Sequence, residues 1–110
     1  MTLFNRRSTL VEHQCITIGE FDITVDGAYK NIITYPLNVK KDRDVFVSVK
    51  SDDGVDVAVV NTKGYNTKSS EGVKIAVIGP IHTTEKGTMA LILGVYRGDL
   101  AHVELEAWME

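Results

Sequence analysis

Residues 45–60 read Val-Phe-Val-Ser-Val-Lys-Ser-Asp-Asp-Gly-Val-Asp-Val-Ala-Val-Val. Val45, Val47 and Val49 alternate with Phe46, Ser48 and Lys50, and Val55, Val57 and Val59 repeat the same two-residue period. Each run therefore turns one apolar face toward a core. β-Branched side chains crowd a helix and fit a pleated strand, so both runs are read as strands. Between them, Ser51-Asp52-Asp53-Gly54 has the composition of a tight turn, and a hairpin is expected here.

Toward the C-terminus, residues 61–72 are almost entirely polar and read as a long loop, a place where binding surfaces are often found. Val73, Ile75 and Val77 mark the next strand, Gly79 and Pro80 break it, and residues 83–87 turn the chain again. Met89, Leu91, Leu93 and Val95 alternate, and Ala90 with Ile92 makes the second face apolar too, as expected of a central strand. The tripeptide Arg97-Gly98-Asp99 reads as a turn. In the last strand Val103, Leu105, Ala107 and Met109 oppose His102, Glu104, Glu106 and Trp108. The expected core includes Val47, Val57, Ile75, Leu91, Leu93 and Leu105.

Toward the N-terminus, the segment from Tyr29 to Val39 is a strand whose Pro36 donates no ladder bond, which predicts an edge position or a bulge. Asp26-Gly27 is a hairpin dipeptide, and Phe21, Ile23 and Val25, like Ile16 and Ile18 before Gly19, alternate with polar residues. Residues 1–13 show no alternation and are read as an arm, leaving 14–110 as a single domain.

Composition agrees with this reading. Val, Ile and Thr together supply 33 of the 110 residues, against 13 Leu and Ala. Seven or eight strands, spaced about ten residues apart, predict an all-β, antiparallel β-sandwich of two packed sheets. A formal net charge of −3 offers no basic field for nucleic acid. No apolar run approaches the roughly 20 residues of a spanning helix. Cys15 has no second cysteine to pair with, and the first residues lack the apolar stretch of a secretory signal, so a mature cytoplasmic chain is expected.

Few residues carry chemistry. Cys15 and His13 share a strand face but have no evident third partner, and His13, His82 and His102 lack zinc-ligand spacing. No Gly-rich phosphate loop is present, so no cofactor is expected. Asp52, Asp53 and Asp56 around Gly54 are the best calcium candidates, but the series is incomplete and backbone hydrogen bonding explains aspartates at a turn. Two surfaces remain for recognition. One is the polar loop, with Asn61, Lys63, Tyr65, Asn66 and Lys68, read either as a recognition surface or as a polar excursion without a role. The other is Trp108, either a contact hot spot or a cover for an apolar patch of its own chain.

The order of features is an Asp-Gly turn, a Tyr-containing strand from Tyr29 to Val39, a Lys-Lys-Asp turn, Val45-Phe46-Val47-Ser48-Val49-Lys50-Ser51, Val57-Ala58-Val59-Val60-Asn61, and Gly87-Thr88-Met89-Ala90-Leu91-Ile92-Leu93. This order resembles the Golgi-dynamics (GOLD) modules and the pre-peptidase C-terminal domains over roughly residues 20–109. The resemblance implies a jelly-roll-like sandwich that binds a partner without catalysis. The leading expectation is accordingly a noncatalytic module for a protein, peptide or glycan partner. A self-assembling structural subunit, a homo-oligomer, is the second reading and a small hydrolase-type enzyme the third.

Overall fold

The computed structural model describes residues 7–19, 31–96 and 98–110, and these form six antiparallel strands with no helix among them. The strands are β1 (Ser8–Ile18), β2 (Ile32–Val39), β3 (Asp44–Val60), β4 (Asn66–His82), β5 (Gly87–Gly94) and β6 (Ala101–Met109). The all-β antiparallel class is as expected. Instead of seven or eight strands, however, the described residues form six, and these join in one curled sheet. The expected strand at residues 21–25, the Asp26-Gly27 turn, Tyr29 and Arg97 lie outside the described residues.

Hydrogen bonding follows the path β1-β6-β3-β5-β2, with β4 attached to β3. β3 is long enough to serve two neighbours on one edge: Val45 to Ser51 pair with β6, and Asp56 to Val60 pair with β5. β4 runs along its other edge through both halves. The expected hairpin at Ser51-Asp52-Asp53-Gly54 is therefore corrected to a bend inside a single strand. The ladder steps from Lys50↔Ile75 to Val55↔Val73, five residues along β3 against two along β4. Such an excess bulges out and adds local twist and bending. Gly54 suits this close approach, since a Cβ there would stand 3.1 Å from the Gly72 Cα and press the neighbouring backbone aside.

The bend brings both halves of the sheet around one apolar core. Val45, Val47, Val49, Val55, Val57 and Val59 of β3 meet Leu91 and Leu93 of β5 and Leu105 of β6, all sealed from solvent. Fully burying a side chain of this size contributes roughly 1.5–3 kcal/mol. β5 lies between β3 and β2, with Met89, Leu91 and Leu93 buried on one face and Ala90 and Ile92 half-buried on the other. β2 ends the path, and Pro36 sits in its unbroken ladder opposite Ala90, so the edge position, not a bulge, accommodates it.

Three further expectations are corrected. Ser8 to His13 belong to β1, so strand structure begins inside the segment read as an arm. β4 starts at Asn66 and continues through Gly79 and Pro80 to His82, which shrinks the expected 61–72 loop to a turn over residues 61–65. Ile75 is not in the core. Val73 faces inward opposite Val55, but beyond the bulge Ala76 and Ile78 take the inward positions opposite Val49 and Val47. That change of phase turns Ile75 and Val77 outward, where they are 78% and 63% exposed.

Candidate functional site

The bend decides which side chains share the outer face of β1, β6, β3 and the second half of β4. Antiparallel partners lie on the same face, so the register defines rows across the strands. One row is Cys15–Glu104–Lys50–Ile75. Beside it lie Thr17 and His102, with Asp52 contributed by the bend of β3. On the other side come Glu106, Ser48 and Val77, then Thr9, Trp108 and Phe46. A shallow concavity of about 300 Å³ opens among Cys15, Lys50, Asp52, His102 and Glu104.

Ionisable groups on this face are held by one another. The His102 backbone N–H donates to Asp52 Oδ1 at 2.8 Å, and His102 Nδ1 stands 2.7 Å from Asp52 Oδ2. These two contacts, the backbone one foremost, keep the Asp52 carboxyl below its ordinary range. His13 Nε2 lies 2.5 Å from Glu104 Oε1. That hydrogen bond, assisted by the Lys50 charge, lowers the Glu104 carboxyl as well. Arg7 reaches Glu106 at 3.3 Å while its guanidinium lies 4.1 Å from the centre of the Trp108 ring.

The expected site residues divide between two places. Trp108 stacks on Phe46, ring centres 5.5 Å apart and planes 14° from parallel, and Arg7 covers it. Its indole therefore packs against its own chain. Asn61, Lys63, Tyr65, Asn66 and Lys68 lie at the tip of the β3–β4 hairpin. Asn61 Oδ1 accepts from the N–H groups of Lys63 and Tyr65, both at 3.0 Å, so its side chain shapes the turn. Tyr65 is 69% exposed, while Asn66 and Lys68 of β4 pair with Val60 and Val59 of β3. Thr62 bonds Glu85, tying this tip to the β4–β5 connection.

The calcium candidates have structural occupations. Asp52 holds His102, Asp53 Oδ1 accepts from the Gly54 N–H at 2.8 Å, and Asp56 Oδ1 accepts from the Gly72 N–H at 2.9 Å. Each carboxylate thus fixes backbone at the bend. Among the described residues no group of three or more His, Cys, Asp or Glu side chains is placed to hold a metal ion.

Chemically, the concavity offers an exposed thiol, an imidazole, an ammonium and two carboxylates. Nucleophilic catalysis needs a thiol in hydrogen-bond reach of a base that a third group orients. Asp52 orients His102 through the contact to its Nδ1, and among the described residues no hydrogen bond joins that imidazole to Cys15. The alternation of the last strand places His102, Glu104, Glu106 and Trp108 on one face, but the sequence names Asp52 only as a calcium candidate and does not reveal its pairing with His102 or that of His13 with Glu104. Continuing the Phe46, Ser48, Lys50 alternation by one step would have added Asp52 to that face. No family model, curated protein or solved structure matches this chain.

Proposed function

We propose that the chain is a noncatalytic interaction module, a jelly-roll-like sandwich made by folding one six-stranded sheet, as the resemblance to GOLD and pre-peptidase C-terminal modules implies. Its outer face across β1, β6 and β3 binds an extended peptide or a protein segment. The observation that carries this reading is the row Cys15–Glu104–Lys50 beside the Asp52–His102 clamp, where two carboxylates held by histidines stand with a lysine around a shallow concavity. Prepositioned polar groups lose little side-chain entropy on binding, and a shallow site fits an extended chain better than an enclosed small ligand. An exposed thiol at Cys15 fits a reducing compartment such as the cytoplasm.

A random peptide library selected on the immobilised chain tests the proposal. Lys50→Glu and His102→Ala should each weaken the selected peptides about tenfold or more, while a Tyr65→Ala, Asn66→Ala variant binds as the parent does. The opposite pattern, binding lost with the loop variant and retained with the other two, moves recognition to the hairpin tip. The exposed Tyr65 is the observation that favours this second reading.

A further inference from the structure

The change of phase in β4 has a structural consequence at the rim of the sheet. Among the described residues β4 pairs only with β3, so its other edge carries unpaired backbone groups. Ile75 and Val77 lie on this strand and are among the most exposed large apolar side chains of the described residues. Gly72, at φ +62°, interrupts the strand conformation on one side. Pro80, which has no N–H to donate, limits pairing on the other. The segment between them, Val73-Lys74-Ile75-Ala76-Val77-Ile78-Gly79, can accept another strand.

We infer that this edge receives a second copy of the same chain, β4 against β4 in antiparallel register about a two-fold axis at Ala76. The centre of the segment is suited to self-recognition because the residues on either side of Ala76 are alike in kind. A β-branched side chain stands one position to either side of a small one. In this register Ile75 faces Val77 of the other copy, and Val77 faces its Ile75. Two β-branched cross-strand pairs therefore form on the outer face, and Lys74 meets Ile78, so no like charges oppose.

A charged partner is less well matched, since the edge presents apolar side chains where such a partner would need counter-charges. The row Lys50–Ile75 on one copy then continues through Val77–Ser48 on the other, making one outer face eight strands wide. The contact is small for a permanent dimer, so association in the micromolar range or weaker is expected. The inference stands independently of the proposed peptide site, which involves no residue of β4.

Sedimentation velocity of the full chain, from a few micromolar to about 1 mM, reads the association directly. The mass should rise from 12.2 kDa toward twice that value with concentration. Ile75→Lys with Val77→Lys should raise the dissociation constant about tenfold or more, because lysines then face lysines. Ile75→Glu with Val77→Glu should do the same. Mixing the lysine and glutamate variants should restore a mixed dimer, since each introduced lysine meets an introduced glutamate in this register alone. Thermal melts of both variants should match the parent, as the altered side chains are exposed. A parent that stays monomeric throughout the range refutes the inference. So does a dimer that survives both variants, and so does a variant pair that unfolds normally but does not associate on mixing.

Discussion

Ile75 and Leu91 are chemically similar aliphatic residues, and alternation alone assigns both to the core. The structure separates them: Leu91 is fully buried and pairs across β5 with Val59 and Tyr35, while Ile75 is 78% exposed. Leu91→Ala removes three carbons from a packed site. At about 0.8 kcal/mol per carbon, the transfer loss is roughly 2.4 kcal/mol, and the residual cavity raises the total to about 3–5 kcal/mol. For a chain of this length each kcal/mol moves the melting temperature by about 4–8 °C, so a fall of more than 10 °C is expected. Ile75→Ala should stay within about 0.5 kcal/mol of the parent, as surface substitutions do. Ile78→Ala, on the inward side of the same strand, should cost about 2–5 kcal/mol. Urea unfolding followed by fluorescence well below micromolar protein measures all three with little contribution from self-association. An Ile75→Ala loss above about 2 kcal/mol, or a negligible loss for Ile78→Ala, refutes the register assigned to β4.

Asp52 and Glu104 both have lowered carboxyl pKa values, so the folded state resists protonating them more than the unfolded chain does. Their contribution to stability is complete above about pH 5, beyond the ordinary carboxylate range, and is lost as pH falls through that range and the lowered values. Denaturant midpoints measured from pH 7 downward should fall in that window, and Asp52→Asn should flatten the decline. Arg7→Ala removes both the cation over the Trp108 ring and the partly exposed ion pair to Glu106. It should cost about 1 kcal/mol and shift tryptophan emission to the red as the indole becomes wetter, which fluorescence-monitored unfolding reads in one experiment.

What the sequence disclosed about the fold is what a two-residue period can carry. Val45, Val47 and Val49, then Val55, Val57 and Val59, then Met89, Leu91 and Leu93 all face the core, because neighbouring side chains on a strand necessarily point to opposite faces. The phase of β4 was not legible in the same way. Val73, Ile75 and Val77 have a clean alternation, but the face each takes is set by the bulge opposite them in β3. Strand propensity measures fit to cross-strand neighbours, and those neighbours are distant in sequence. The same limit hid the outer face: His13–Glu104 and His102–Asp52 join residues 91 and 50 positions apart.

The acidic segment shows how one local composition serves two structures. Ser51-Asp52-Asp53-Gly54 satisfies the requirements of a hairpin turn, and a turn would have returned Val55 to Val60 alongside Val45 to Val49. The chain instead continues, because β6 and β5 each need a partner on the same edge of β3 and one uninterrupted strand supplies both. In that setting the aspartates keep the hydrogen-bonding capacity that favours turns but direct much of it across the sheet. Asp52 fastens β6 through His102, and Asp56 fastens β4 through Gly72. Carboxylates that read as calcium ligands or turn formers thus become ties between strands beside the bulge in β3. The same bend sets the phase that exposes Ile75 and places Asp52 beside Lys50, so the edge and the polar face derive from a single irregularity in β3.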